Sequence, residues 1–283
     1  MSPAPENHLS ASDHVPTDVP TSKRLLDQHT VVIQALGGSL VLAPIDLSKS
    51  NLKILDSATA DGHWLHELAT SHATSHGNRY IGTDINTGFF PKSHGPQYQF
   101  YKHNMANAWP LEEHSTFDLV HQRLSLPGAA PASLSQAVQN LFALVKPGGW
   151  IQLVEAEQVA PDSGPVFLEF LELVRAVFDT TGAGWKYAGE MRGWLETAGA
   201  VDIEEISVDM ALGATNKNRE LIEIGASSTA GAMTGLIMHA KAMGLKTALT
   251  EESLNTLPER LYTELIETGA HYPLRAVWGR KKL

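Results

Sequence analysis

Apolar and polar residues follow two different spacings along the chain, and each spacing predicts one kind of element. In residues 21–36 apolar side chains recur at helical spacing and two glycines follow, which predicts a helix. Short apolar runs flanked by polar residues predict strands at 52–56, 79–84, 117–122 and 150–155. Helical segments at 62–71 and 132–144 lie between them. This alternation favours a parallel sheet with helices on both faces.

The second half of the chain contains longer helical patterns and two further strands. Helices are predicted at 165–180, 190–198, 218–243 and 251–268, and strands at 201–208 and 274–279. Residues 212–270, between the last two strands, are therefore predicted to form a helical lid insertion. The insertion carries Met233, Met238 and Met243, which suit an apolar pocket for a small aromatic or heterocyclic substrate, although packing between helices is the favoured explanation for any single methionine.

Composition and charge narrow the classes of function. The 283 residues are 43% hydrophobic and 18% charged, and the formal net charge is −10. A negative surface repels phosphate backbones, so nucleic acid is not expected as a partner. No run of about 18 apolar residues is present, so no membrane span is expected. Residues 1–20 are polar and lack the apolar core of a signal peptide, which predicts a disordered tail on a cytoplasmic protein.

Acidic residues stand at the ends of the first two predicted strands. Asp56 is followed by a turn of small residues at 57–62 and then by a helix. Small residues let the backbone approach a nucleotide-like ligand, and the helix N-terminus supplies free amide groups. Asp84 ends the second strand, where a carboxylate can accept both hydroxyls of a ribose. Each feature alone is equally typical of an ordinary surface turn.

Four segments together resemble the motifs of class I S-adenosylmethionine-dependent methyltransferases: ILDSATADGHW, YIGTDI, FDLVHQR and LVKPGGWIQLVE. The segment RLLDQH at 24–29 is similar to the N-terminal helix of fungal methyltransferases that act on, or regulate, secondary metabolism. The resemblance implies one α/β domain at 21–283, with a Rossmann-like, seven-stranded, mostly parallel sheet, the N-terminal helix and the lid insertion. It also implies S-adenosylmethionine as the cofactor and a small-molecule substrate.

The same resemblance implies a set of cofactor contacts. The turn after the first strand surrounds the methionine part, the end of the second strand binds the ribose and flanks the adenine, and the segment at 102–105 brackets the base. The end of the strand at 117–122 lies near the sulfonium, and the first helix closes the site. The residues at these positions are, in that order, Asp56, Ser57, Ala58 and Gly62; Asp84 and Ile85; Asn104 and Met105; Gln122 and Arg123; and Gln28 and His29.

The turn after the first strand departs from the family pattern. Ala58 and Ala60 stand where the motif has glycine, and Gly62 is retained. Alanine disfavours a positive φ, so weaker cofactor binding, or a protein that no longer catalyses, is one reading of this turn. Because alanine is the smallest substitute and the other motifs are intact, cofactor binding is expected to survive.

Candidate bases are few, because methyl transfer needs mainly proximity and orientation. His29, His121 and Tyr272 are the candidate catalytic residues, although a lone histidine is more often structural. The absence of cysteine excludes disulfides, thiolate metal sites and a cysteine nucleophile. No histidine pair has clear metal-ligand spacing, so no metal site is predicted.

The acceptor is left open by the motifs. A cysteine-free protein is compatible with a thiol or disulfide substrate, because a surface thiol would exchange with a reactive disulfide. The hypothesis is therefore S-methylation of a reduced epipolythiodioxopiperazine, a dithiol of the gliotoxin type. O- or N-methylation of another metabolite fits the same sequence.

Two further classes are compatible with parts of the pattern. A regulatory, methyltransferase-like protein with a protein partner is favoured by the altered glycines. An NAD-dependent dehydrogenase shares the order of strand, small-residue turn and acidic residue, but FDLVHQR and KPGGW match methyltransferases instead.

Overall fold

The computed structural model describes residues 21–72, 76–160 and 162–283, and the predicted tail at 1–20 lies outside these ranges. The described helices are α1 (Thr21–Ala35), α2 (His63–Ser71), α3 (Leu134–Leu144), α4 (Pro165–Thr181), α5 (Tyr187–Thr197), α6 (Glu220–Ala242) and α7 (Glu251–Glu267). The described strands are β1 (Lys53–Ser57), β2 (Arg79–Asp84), β3 (Tyr98–Lys102), β4 (Phe117–Arg123), β5 (Val145–Ala156), β6 (Ala200–Leu212) and β7 (Ala270–Lys281).

The seven strands form one sheet in the order β3-β2-β1-β4-β5-β7-β6. Strands β1 to β5 pair in parallel, whereas β7 is antiparallel to both β5 and β6. The order reverses beside β1, where the chain crosses from β3 to β4. The predicted fold class, a mostly parallel Rossmann-like sheet with helices, is confirmed.

The structure differs from the sequence prediction in one missing strand and in the lengths of three others. Strand β5 begins at Val145 rather than at 150, and β7 spans Ala270–Lys281 rather than 274–279. Strand β3 was not predicted, because it is an edge strand whose residues are mostly exposed or half-buried and so form no apolar run. Strand β6 is longer than the predicted 201–208 and also lies at an edge. Helix α5 begins at Tyr187 rather than at 190.

The helices between β5 and the C-terminus share a core with α1. This core joins the buried faces of α1, α4, α6 and α7 to the strands β5, β6 and β7. It is built from aliphatic and aromatic side chains such as Val32, Phe167, Met233 and Leu261. Burial of this surface keeps α1 and the two helices of the predicted insertion next to one end of the sheet.

Helix α6 is long and apolar enough, by length and composition alone, to cross a membrane: its mean hydropathy is 1.3 over a window of which 39% is buried. In the folded chain four of its buried residues, Ala226, Met233, Ile237 and Ala240, belong to the core shared with α1 and α7. That packing accounts for its apolar composition. The expectation that the protein has no membrane span stays a prediction.

A buried amide on β5 holds the segment that follows α1. Gln152 is fully buried, and its Oε1 accepts hydrogen bonds from the backbone N–H of Leu42 (2.6 Å) and Ala43 (3.2 Å). Its Nε2 donates to the carbonyl of Leu40 at 3.1 Å. Since unpaired backbone groups are costly when buried, this one side chain joins the segment after α1 to the middle of the sheet.

We expect Gln152→Leu to lower the free energy of unfolding by about 2–4 kcal/mol, because it removes hydrogen bonds from buried backbone groups. Equilibrium urea denaturation measures this change. The matched control is Gln136→Leu on the exposed face of α3, where we expect a change within about 0.5 kcal/mol. Equal effects of the two substitutions would show that Gln152 does not hold the segment.

Candidate active site

Two neighbouring cavities lie on the side of the sheet where β1, β2 and β4 end. The first has a volume of about 400 Å³ and is lined by α1, the turn after β1 and the residues that follow β2, β3 and β4. The second has a volume of about 480 Å³ and is lined by α1, the ends of β4 and β5, and helices α4 and α6. Gln28, Leu124, Ser125 and Gly128 line both. Ligands of open α/β sheets bind at this position, next to the reversal in strand order.

The first cavity brings together most of the residues predicted to bind the cofactor. Its wall contains Gln28, His29, Asp56, Ser57, Ala58, Asp84, Ile85, Asn104, Met105 and Arg123. Two predicted contacts, Gly62 and Gln122, do not line it. A Cβ on Gly62 would lie 2.7 Å from Cε1 of Phe100, so this glycine serves the packing of the turn on β3.

Gln122 is turned away from the first cavity. Its side chain is fully buried, and its Nε2 donates to Glu155 Oε1 at 2.5 Å and to Ser125 Oγ at 2.8 Å. Glu155 also accepts the backbone N–H of Ser125 and Leu126, each at 2.9 Å. Gln122 and Glu155 thus position the backbone between the two cavities.

The turn after β1 keeps a glycine-like path although it contains alanine. Ala58 has φ 57° and Ala60 has φ 51°, both in the left-handed region, followed by Gly62 at φ 74°. Each left-handed alanine costs about 1–2 kcal/mol. The path is held by the Thr59 amide on Thr83 O (2.9 Å) and the Ala60 amide on Asp84 Oδ2 (3.0 Å). The substitutions therefore add strain without changing the route of the backbone.

His121 supports this turn from behind. Its Nδ1 donates to Asp56 Oδ1 at 2.7 Å, and its ring stacks on Trp64 with centroids 3.8 Å apart. Burial lowers its pKa, although Asp56 opposes the shift. The sequence named His121 as a candidate base, but the structure places it outside both cavities, where it cannot reach an acceptor.

The residues that follow β2 and β3 form one end of the first cavity. Ile85 follows β2 and is 58% exposed, whereas Met105 is largely buried and contributes to the same wall. Asn104 Oδ1 accepts the amide of Ala106 at 2.9 Å, which leaves its Nδ2 to meet a ligand. His103, which the sequence did not single out, also lines this end and packs against Trp109 with ring centroids 3.8 Å apart.

A chain of hydrogen bonds crosses the other end of the first cavity. Arg123 Nη2 lies 2.9 Å from His29 Nδ1, and His29 Nε2 lies 2.6 Å from Glu67 Oε2. A guanidinium only donates, so Nδ1 accepts and Nε2 carries the proton that it donates to Glu67. Burial, together with the positive charge of Arg123 and smaller contributions from two neighbouring imidazoles, lowers the pKa of His29 to about 2. Both ring nitrogens of His29 are engaged, so it is not free to act as the base that the sequence suggested.

The same cluster offers metal-ligand atoms. Those of His29, His63 and Glu67 all lie within 4.8 Å of one another. However, a histidine that accepts from Arg123 at Nδ1 has no lone pair at Nε2, and the guanidinium adds a positive charge beside it. This arrangement therefore fits an arginine-positioning group rather than a cation site.

Tyr272, the remaining candidate catalytic residue, lies in the wall of the second cavity. Its hydroxyl donates to Gln158 Oε1 at 2.6 Å, and burial raises its pKa. It can orient a ligand but is a poor base in this environment. The sequence did not single out Gln158, Glu155 or Tyr187, which line the same wall because β5 and α5 meet there.

Helix α1 supplies residues that sequence analysis missed. Arg24 and Leu25 line the first cavity together with Gln28 and His29. These positions share one face of the helix, because Arg24 lies one turn before Gln28. This spacing could have predicted that Arg24 lines the cavity.

No protein-family model matches the chain. Methyltransferase psoC of Aspergillus fumigatus is 35% identical over 248 residues, which cover 87% of this chain and 89% of that protein. N-methyltransferase sirN of Leptosphaeria maculans is 34% identical over 266 residues, which cover 92% of each chain. The chain belongs to this family of fungal methyltransferases. It is an S-adenosylmethionine-dependent methyltransferase of secondary metabolism, and the family resemblance seen in the sequence is confirmed.

A solved structure supports the fold. Haemonchus contortus phosphoethanolamine N-methyltransferase 2, in complex with phosphomonomethylethanolamine and S-adenosylhomocysteine, aligns with a TM-score of 0.55. The alignment covers 98% of this chain and 61% of that one, at 13% identity, and at this identity it shows the fold alone.

The residues of the first cavity fit S-adenosylmethionine. A volume of about 400 Å³ lies within the usual range for small-ligand sites. Asp84 can accept the ribose hydroxyls, Ile85 and Asn104 can meet the adenine, and the left-handed turn brings the backbone close to the amino-acid part. Arg123 Nη1 has no partner within the described chain, which leaves a donor for the ligand.

We expect Asp84→Asn to weaken the binding of S-adenosylhomocysteine about 10- to 100-fold, because it removes the charge from hydrogen bonds to the ribose. Isothermal titration calorimetry measures the dissociation constant. Asp202→Asn, an exposed aspartate on β6 paired with Arg280, is the control and should bind normally. Unchanged affinity in Asp84→Asn would contradict the assignment of the ribose site.

We expect Ala58→Gly and Ala60→Gly to leave the free energy of unfolding unchanged or to raise it by up to about 1 kcal/mol, because glycine removes the left-handed strain. Ala242→Gly, in the last turn of α6, is the control and should lower it by about 0.5–1 kcal/mol. Urea denaturation compares the three. A loss at positions 58 and 60 equal to that of the control would mean that the turn is not strained.

Proposed function

We propose that the protein transfers a methyl group from S-adenosylmethionine to a nitrogen atom of a small, neutral, largely apolar ring metabolite held in the second cavity. The observation that carries this proposal is the contact between the two cavities, which share Gln28, Leu124, Ser125 and Gly128. An acceptor in the second cavity meets the methionine end of the first across this boundary. The name of sirN, an N-methyltransferase, supports nitrogen as the acceptor atom.

The lining of the second cavity favours an uncharged acceptor. Most of it is apolar and aromatic, with side chains such as Phe170, Met233 and Leu236. Among its described lining residues only Glu155 has a formal charge. The Glu155 carboxylate accepts four hydrogen bonds, including one from Tyr187 at 2.7 Å, and so has no strong site left for a cation. A neutral ring compound loses little hydration on entering such a cavity.

The protein contributes position more than acid–base chemistry. The bound cofactor supplies a methyl group already activated on a sulfonium, and an acceptor lone pair needs alignment with it. Gln28, at the boundary, makes no side-chain hydrogen bond with the described residues and can orient the acceptor. Tyr272 and Gln158 offer a second polar contact at the opposite wall. None of these residues is a strong base, which suits a neutral amine-type nitrogen or a thiol.

The dithiol hypothesis uses the same cavity and is the second candidate, favoured by the absence of cysteine. The regulatory reading is less well supported, because both Ala58 and Ala60 preserve the backbone path that cofactor binding needs. An experiment must therefore determine whether nitrogen or sulfur accepts the methyl group.

We expect the purified protein to transfer the methyl group of labelled S-adenosylmethionine to neutral heterocycles that carry a ring nitrogen with a free lone pair, because such a nitrogen needs alignment but no strong base. A parallel set contains reduced dithiol, phenol and charged amino-acid acceptors, and mass spectrometry locates the added methyl group. Methylation of dithiols alone would replace nitrogen by sulfur as the acceptor atom. Methylation of charged amino acids alone would contradict the proposed substrate class.

A charged residue in the second cavity provides the structural check. We expect Leu236→Asp, in the half-buried wall on α6, to lower methyl transfer at least tenfold while S-adenosylhomocysteine still binds. Leu168→Asp on α4, where the side chain is 41% exposed, is the matched control and should keep full activity. Full activity in Leu236→Asp would place the acceptor elsewhere.

A further inference from the structure

We propose that Arg24 and Arg123 together bind the carboxylate of the cofactor's amino-acid end, and that His29 and Glu67 are positioning residues that hold Arg123 for this contact. This inference concerns the cofactor and does not depend on which atom accepts the methyl group.

Arg123 is a half-buried cation with one unpaired donor atom. It ends β4 and lines the first cavity, and its Nη2 donates to His29. Its Nη1 is buried without a hydrogen-bond partner, and no carboxylate of the described chain forms an ion pair with it. Burial lowers its pKa, against the attraction of Asp56, Glu67 and Asp61. A half-buried guanidinium with an unpaired, buried nitrogen is destabilising, and a ligand carboxylate offsets this destabilisation.

Arg24 adds a second cation to the same wall. It lies on α1, half-buried, and makes no hydrogen bond or ion pair with any described residue. Burial lowers its pKa as well. Its aliphatic stem lies beside α6, since a Cβ on Gly231 would be 3.4 Å from Arg24 Cδ. This contact holds the side chain at the entrance of the first cavity instead of letting it extend into solvent.

Only one group of the cofactor has a charge that the two arginines attract. S-adenosylmethionine carries a positive sulfonium, a positive ammonium and one negative group, its carboxylate. Two guanidinium groups repel the first two and attract the third. The acidic residues of the same wall, Asp56, Asp61 and Asp84, are left for the ammonium and the ribose. The arginine pair therefore marks where the carboxylate lies.

The hydrogen-bonded chain of Glu67, His29 and Arg123 explains how Arg123 keeps its orientation. Glu67 on α2 accepts a hydrogen bond from His29 Nε2–H at 2.6 Å. The proton of the neutral ring is thereby kept on Nε2, and the lone pair of Nδ1 accepts the hydrogen bond from Arg123. A protonated His29 would lose this acceptor, and its low pKa prevents that. The three residues come from α2, α1 and β4, so their hydrogen bonds also connect these three elements.

The test compares two ligands that differ in the amino-acid part. S-adenosylhomocysteine has the carboxylate, whereas 5′-methylthioadenosine has the same adenosine and sulfur without it. We expect Arg123→Met and Arg24→Met to weaken the binding of S-adenosylhomocysteine about 10- to 100-fold, because each removes hydrogen bonds to a charged group. Calorimetry measures the dissociation constants. Both variants should bind 5′-methylthioadenosine within about threefold of the unchanged protein. Arg192→Met, an exposed arginine on α5, is the control and should bind both ligands normally.

A second set of variants tests the positioning role. His29→Phe should weaken S-adenosylhomocysteine but not 5′-methylthioadenosine, and should add little in the Arg123→Met background, because it acts through that side chain. His29→Gln, which can still accept from Arg123, should restore part of the affinity. Circular dichroism shows whether each variant is folded. Equal weakening of both ligands by Arg123→Met, or no weakening of either, would overturn the proposal, and full additivity of the His29 and Arg123 substitutions would overturn the positioning role.

Discussion

The backbone path at residues 57–62 is the constraint on which the rest of the site depends. Two left-handed alanines and one glycine turn the chain sharply at the end of β1. Strain of this kind persists only where its surroundings enforce it. Here the enforcement comes from Asp84, which accepts the Ala60 amide, and from Asp56, which is held by Thr59 and His121. The two strand-end carboxylates therefore shape the turn before they meet any ligand.

Helix α1 gives the site its second fixed boundary. It lies outside the alternating strands and helices, yet it lines both cavities and carries Arg24, Gln28 and His29. Its apolar face belongs to the core of α4, α6 and α7, and Gln152 clamps the segment that follows it. The same helix therefore forms part of the wall of both cavities.

The chemistry of the two cavities is divided by charge. The first contains three aspartates and two arginines, which suit a ligand with both signs of charge. The second is mostly apolar, and its one carboxylate is saturated by hydrogen bonds from Gln122, Tyr187 and the backbone. This division suits the proposed arrangement, in which a charged cofactor lies in the first cavity and a neutral metabolite in the second, because burying a charge in an apolar cavity is costly.

The sequence by itself determined the fold class and most element bounds, because hydrophobic spacing and strand-end motifs are local signals. Most of the residues that it predicted as cofactor contacts line the first cavity. It did not reveal β3, whose edge position leaves no apolar run. Tertiary structure alone decided which groups are free to react. His121 turned out to lie behind the turn, His29 to be engaged at both nitrogens, and Gln122 to face Glu155. The physical reason is that these roles rest on contacts between residues up to 94 positions apart, such as Arg123 and His29, which only the packing of α1 against the sheet brings together.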